Sequence, residues 1–186
     1  MSRAELTPFS HAVLTLVGQG GATPHDLVRI ARQGRIYADF AESQWYAEPK
    51  RLARLGYLRA QKEPGKTRER TRYTLTSNGR RALLAWMDDP VRFSRIQLEP
   101  AWRVLAADIV GEEAARRGVA GLRSEIADLY ARLDVAEAAA ATLPHREKYL
   151  LLNHRLARRI VDAHAEWLDE VERELSPKEP PPRAGA

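Results

Sequence analysis

Residues 57–86 read YLRAQKEPGKTRERTRYTLTSNGRRALLAW, and this stretch decides the fold. Tyr57, Leu58 and Ala60 open a β-prone run, and Pro64-Gly65 marks a turn. From Arg70 to Thr76 polar and apolar residues alternate, with Tyr73 and Leu75 two apart as a strand requires. Ser77 or Asn78 is expected to cap a helix that carries Leu83, Leu84 and Trp86. A two-stranded ribbon is marginal alone, and this one carries cations that no core needs. Between Lys50 and Arg81 eleven Lys or Arg stand against Glu63 and Glu69, a net charge of +9. The whole chain is +5, so the remainder is about −4. Basicity confined to one short window is the electrostatic footprint expected of a phosphate-binding face.

Upstream the apolar spacing is helical. Residues 6–17 place Phe9, Val13, Leu14, Leu16 and Val17 on one period, with Thr7 as cap and Pro8 in the first turn. Gly18-Gln19-Gly20-Gly21 stops that helix, and Thr23-Pro24 restarts a second one with Leu27, Val28, Ile30 and Ala31 as its apolar side, ended by Gly34. Tyr37 and Phe40 in the connection are expected to pack beneath. A third helix is predicted over residues 42–55, turning Trp45, Leu52 and Leu55 inward. Pro49 inside it is expected to kink or shorten it, because proline removes a backbone hydrogen bond. Three helices, two strands and a helix in this order make a winged helix-turn-helix, whose third helix enters the DNA major groove.

Beyond Asp88-Asp89-Pro90 no strand signal survives. Glu99-Pro100 opens a helix with Trp102, Leu105 and Ile109. A long helix is predicted from 112 to about 141, where Leu122, Ile126, Leu129, Leu133, Ala136 and Ala140 form a heptad seam. Another runs from 144 to about 175. It carries two adjacent stripes: Tyr149, Leu152, Leu156, Ile160, Trp167 and Val171, then Leu150, Ala157, Val161, His164 and Leu168. Together they are too wide for one partner helix, so the hairpin is expected to dock a second copy of the chain. The expected architecture is mainly α: a winged helix-turn-helix with a two-stranded β wing over 1–88, a long-helix dimerisation arm over 94–175, and a Pro-rich disordered tail over 176–186.

The composition excludes several classes. With 186 residues, 44% hydrophobic, the chain fills one ordinary domain or two small ones. The absence of cysteine removes disulfides, thiolate chemistry and Cys-ligated zinc. No run approaches the roughly 18 apolar residues of a membrane span, and the N-terminal apolar run is too short for a leader peptide. A cytoplasmic protein is expected. His154 and His164 stand ten residues apart and do not share a helical turn, and His145 with Glu147 has no companion ligands, so no metal is expected. No Gly-rich phosphate loop follows a strand and no nucleophile motif is present, so the chain is not expected to be an enzyme or to need a cofactor.

The segments SQWYAEPKRLARLGYL and RTRYTLTSNGRRALLAW resemble the PadR family of transcriptional regulators. Tyr46 falls on the family's recognition-helix tyrosine and Gly56 on the glycine before the wing. Tyr73, Leu75, Thr76, Gly79 and Trp86 fall on the wing-to-helix motif. Pro49 departs from the family's apolar residue. The resemblance is close over 6–88 and rests on general helical arrangement over 98–175. It implies a homodimer that binds double-stranded operator DNA, often a repressor relieved by a small aromatic ligand. Within that frame Ser43, Gln44, Tyr46, Lys50 and Arg51 are the groove-contact residues expected, and Lys66, Arg68, Arg70 and Arg72 the phosphate or minor-groove contacts. Phe93, Trp102 and Trp167 are the expected lining of a ligand cleft. The alternative is a coiled-coil helical adaptor that binds another protein through the long hairpin; it leaves the cationic wing idle.

Overall fold

The computed structural model describes residues 6–18, 20–33, 40–64, 69–91, 93 and 98–176. Tyr37, Lys66, Arg68 and the tail beyond Ser176 lie outside the described residues. The chain forms two compact units that divide between Phe93 and Ser94.

The first unit begins with α1 (Pro8–Val17), α2 (Pro24–Gln33) and α3 (Glu42–Arg54). Thr7 and Ser10 cap the start of α1 reciprocally. Thr23 and Asp26 do the same for α2: Thr23 N–H and Oγ1–H donate to the Asp26 carboxylate (3.0 and 2.8 Å), and Asp26 N–H donates back to Thr23 Oγ1 (3.2 Å). Helix α3 runs unbroken through Pro49, so the proline does not shorten it. One backbone bond is lost, but the ring's fixed φ is helical, and Pro49 is fully buried on the same face as Trp45 and Leu52.

Strands β1 (Leu58–Glu63) and β2 (Arg70–Leu75) pair antiparallel, Leu58 opposite Leu75 and Glu63 opposite Arg70. Ala22 extends the pair: its N–H donates to Tyr73 O (2.9 Å) and its carbonyl accepts from Tyr73 N–H (2.8 Å). Gly21 makes this approach possible. Its φ is +72°, and a Cβ there would lie 2.8 Å from Tyr73 O. Helix α4 (Ser77–Met87) follows. Its cap is Thr76, one residue before the expected Ser77 or Asn78. Thr76 Oγ1 accepts from Gly79 N–H (3.1 Å) while its own proton points at Gly56 O (2.7 Å) and Tyr57 O (3.0 Å). Such a cap contributes about 1 kcal/mol, and here it also clamps the helix to the start of β1. Gly79 completes the clamp, since any Cβ there would collide with Tyr57 O. The wing-to-helix motif therefore has a physical basis at four of its positions. Tyr73 is buried, Leu75 packs against the same core, Thr76 caps, and Gly79 permits close approach. Around these elements Val13, Leu14, Val17, Leu27, Leu52 and Leu58 form the core, with Phe9, Phe40 and Trp45 in ring contact at its edge.

In the second unit the helix expected to open at Glu99-Pro100 and to carry Trp102, Leu105 and Ile109 is two: α5 (Glu99–Leu105) and α6 (Ala107–Val110), broken at Ala106, where nothing in the sequence marks a stop. The expected helix over 112–141 is also two, α7 (Glu112–Val119) and α8 (Leu122–Ala140). Gly118 and Gly121 each weaken a helix interior by roughly 1 kcal/mol, and Arg103 Nη1 donates to the Gly118 carbonyl (2.9 Å), satisfying the end of α7. After a turn over 141–146, α9 (Glu147–Glu174) returns along α8. The antiparallel sense follows from the pairs that bridge them. Arg123 meets Asp169 and Glu172, Tyr130 meets Asp162, and Arg158 meets Asp134 and Glu137. Of the two α9 stripes, the one with Ala157, Val161 and Leu168 is buried against α8, facing Ile126, Leu133, Ala136 and Ala140. The other stripe is exposed at Tyr149, Leu152 and Leu156, half-buried at Ile160 and Trp167, and buried at Val171.

Candidate nucleic-acid interface

Helix α3 divides cleanly. Trp45, Pro49 and Leu52 point inward, which fixes the roll of the helix and turns Ser43, Gln44, Tyr46 and Lys50 outward. Tyr46 is 39% exposed, so it is a surface group rather than a core ring. Gln44 has a second role, because its Oε1 accepts from Ala41 N–H (3.1 Å) and helps close the first turn. An exposed helix face of hydroxyl, amide, phenol and ammonium groups carries donors and acceptors suited to base edges in a major groove.

The cations sort into two sets. Arg51 and Arg72 are held by neighbouring side chains and backbone. Arg51 forms a fork on Glu48 and also reaches Ser10. Arg72 lies on Glu63 (2.9 and 3.0 Å) and donates to Gly21 O (3.0 Å), bracing β2 to the turn before α2. Arg70 sits farther from Glu63, at 3.6 Å, and Lys62 pairs with Glu69 at 2.9 Å; all but Glu63 are well exposed. The second set, Lys50, Arg54, Arg59 and Arg80, is exposed with no described carboxylate at ion-pair distance. Arg59, opposite Thr74, shares the outer face of the ribbon with Arg70 and Arg72. Sequence reasoning left Arg54, Arg59 and Arg80 out of the contact set. The strand register was the signal for Arg59, since odd positions of β1 share a face with even positions of β2. Lys66 and Arg68, expected as phosphate contacts, lie outside the described residues.

Two carboxylates in this unit hold their charge firmly. Burial pushes the Glu48 carboxyl up less than the Arg51 fork and the Ser10 hydroxyl pull it down, so it sits below the usual range. Asp26 behaves alike, burial being outweighed by its bonds from Thr23 and by the Arg29 and Arg72 charges.

Trp167 lines a cavity of about 340 Å³ in the second unit, with Leu98, Pro100, Ala101, Arg159, Ile160, Ala163 and His164. Trp102, in the same unit, is 70% exposed and does not line it. His164 Nδ1 lies 2.7 Å from Ile160 O. A carbonyl only accepts, so Nδ1 carries the proton and Nε2 is the ring's remaining acceptor when neutral. Among the described residues no group of three or more carboxylates and histidines is arranged to hold a metal, and no helix is long and apolar enough to cross a membrane.

No family model matches the sequence, and no curated protein does. Solved structures do. Bacillus subtilis PadR in complex with operator DNA is similar at a TM-score of 0.71 and 18% identity, over 91% of this chain and 100% of that one. The Vibrio cholerae virulence activator AphA gives 0.67 at 24%, over 89% and 96%. The PadR-like transcriptional regulator BC1756 from Bacillus cereus gives 0.67 at 17%, over 89% and 98%. Bacillus subtilis PadR in complex with p-coumaric acid gives 0.57 at 16%, over 90% and 96%. The chain has the fold of the PadR regulators, a winged helix-turn-helix followed by long helices.

Proposed function

We propose that the chain is a homodimeric, sequence-specific DNA-binding regulator of transcription. The observation that carries this reading is the outward face of α3, polar and cationic, running directly into a ribbon with exposed Arg59 and Arg70. A fold shared with a protein solved on operator DNA supports it. Groove residues on α3 would read bases, and the ribbon and α4 cations would hold phosphates. Such a protein works where the chromosome is, in the cytoplasm. Selection of bound duplexes from a random pool tests the reading directly. A two-fold symmetric consensus, with half-sites about 34 Å apart, is expected of a dimer; an unselected pool contradicts it.

The dimer is inferred from α9. Tyr149, Leu152 and Leu156 are 64%, 52% and 53% exposed on one stripe. A contiguous apolar strip of this kind is closed most simply by its own copy, the same patch serving both chains. Repression is the simplest consequence of occupancy, since a dimer seated on a promoter excludes polymerase by volume alone. Run-off transcription from a promoter bearing the selected site, with and without protein, decides between repression and activation. The Trp167 cavity is the proposed effector site. Its apolar walls suit an aromatic ring, and Arg159 and His164 suit polar substituents on it. Calorimetric titration with p-coumaric acid, against the wild type and Trp167→Ala, tests this, and heat that is unchanged in the variant contradicts it. A helical adaptor would use the same α9 stripe on a different protein, but it gives the head's cations no work.

A further inference from the structure

The recognition helix carries a polar cluster on its inner side that base or phosphate contact does not explain. Ser10, fully buried on α1, donates its hydroxyl proton to Glu48 Oε1 (2.6 Å). The same Oγ accepts from Thr7 N–H (2.9 Å) and from Arg51 Nη2 (2.9 Å). Arg51 grips Glu48 with both ends of its fork, Nε to Oε2 at 2.8 Å and Nη2 to Oε1 at 2.7 Å. The cap of α1 and the middle of α3 are thus one hydrogen-bonded unit. Glu48 stands immediately before Pro49, the residue that interrupts the backbone ladder of α3. Ser43, Gln44 and Tyr46 all lie on the N-terminal side of that interruption, where the side chains tying the helix to α1 take over part of the ladder's task.

We propose that Glu48, held by Ser10 and Arg51, is a positioning residue for DNA reading, fixing the N-terminal half of α3 on α1 so that Ser43, Gln44 and Tyr46 meet base edges in a single register. The inference rests on the DNA-binding reading above. It reassigns Arg51, whose guanidinium serves Glu48 and whose charge is largely cancelled there, from contact to support. A bidentate Arg–carboxylate pair is geometrically specific, and lysine does not reproduce its fork.

The experiment uses the full chain, a duplex that the wild type selects from a random pool, and a scrambled duplex of equal length and composition. Affinity for both is measured across a salt series for wild type, Glu48→Gln, Arg51→Lys and Ser10→Ala, at a temperature where circular dichroism finds each variant folded. Arg51→Lys keeps a cation and loses the fork. The ratio of selected to scrambled affinity should fall about tenfold, the weight of one base contact, while the salt slope on scrambled DNA stays unchanged. A phosphate-contacting Arg51 would instead leave the ratio intact in Arg51→Lys, and Glu48→Gln would tighten both duplexes alike; either result overturns the proposal. So would equal losses on both duplexes, the signature of a merely structural role. If the wild type shows no preference or no binding, the DNA-binding reading itself fails. If it discriminates and the variants discriminate equally, only the positioning role fails.

Discussion

The two units solve the burial problem differently. In the head, apolar side chains meet one another within a single unit. The largest fully buried side chains described are Leu14, Leu27, Leu52, Leu168, Val13, Val17, Pro49 and Ser10, and Leu168 alone lies beyond residue 93. The arm has one sealed helix seam and leaves Trp102, Leu105, Ile109, Tyr149, Leu152 and Leu156 exposed. The head exposes charge that its own stability does not need, with Leu84, Trp86, Met87, Val91 and Phe93 as apolar exceptions on and after α4, and the arm exposes the more extensive apolar surface that water disfavours. On the proposed reading each surplus has a partner of matching chemistry, phosphate for the first and a second arm for the second.

Substitutions at the two surpluses, and at the seams beneath them, sharpen this contrast. The largest effect is expected at the arm. Leu152→Asp with Leu156→Asp alters side chains already exposed within one chain, so the melting of the monomer should barely move. Dimer dissociation should rise at least about 100-fold, because charges would enter an apolar interface. Sedimentation equilibrium reads this, and a dimer that survives the double change shows that the stripe is not the interface. In the head the vulnerable points are internal. Gly79→Ala drives a methyl into Tyr57 O and should cost about 3 kcal/mol in denaturant titration, with dimerisation intact. A smaller effect separates bracing cations from free ones. Arg72→Ala should lower stability by about 1 kcal/mol through loss of its Gly21 and Glu63 bonds. Arg59→Ala should leave stability alone and make the salt dependence of DNA binding shallower, by about 0.9 for each phosphate no longer neutralised. Equal behaviour of the two variants contradicts the sorting. The smallest effect concerns acid. The folded Glu48 carboxyl titrates below its unfolded value, so its contribution is complete above the ordinary glutamate pKa of about 4.3 and is lost as pH falls through the lower folded value. Glu48→Gln should flatten that part of the head's acid unfolding curve. An unchanged curve means the Arg51 fork does not hold the charge.

The sequence exposes local order and conceals long-range use. The order of helices and strands is legible because period 3.6 and period 2 are written in neighbouring residues. Pro49 misleads for the same local reason: proline's penalty in a helix is visible, but the burial that offsets it is not. Thr76 hides behind Ser77 and Asn78 because all three are capping types, and the carbonyls of Gly56 and Tyr57 decide among them. The break at Ala106 has no stop signal in the sequence, while the one near Gly121 follows two glycines, Gly118 and Gly121, and an Arg103 bond to the Gly118 carbonyl that the sequence does not show. The internal bonds of Arg51 and Arg72 are not legible in the basic run where each sits, because their partners Ser10 and Gly21 lie 41 and 51 residues away. The two stripes of α9 are equally apolar, and only the position of α8 selects which one is sealed.

Binding of the full-length chain to a generic duplex over a salt series tests the central claim most directly. The account predicts that log affinity falls linearly with log salt, with a slope of at least about −4 for the dimer, as several released counterions per head require. An affinity that is flat across the series, or absent at low salt, contradicts the assignment of the α3 face and the ribbon to DNA.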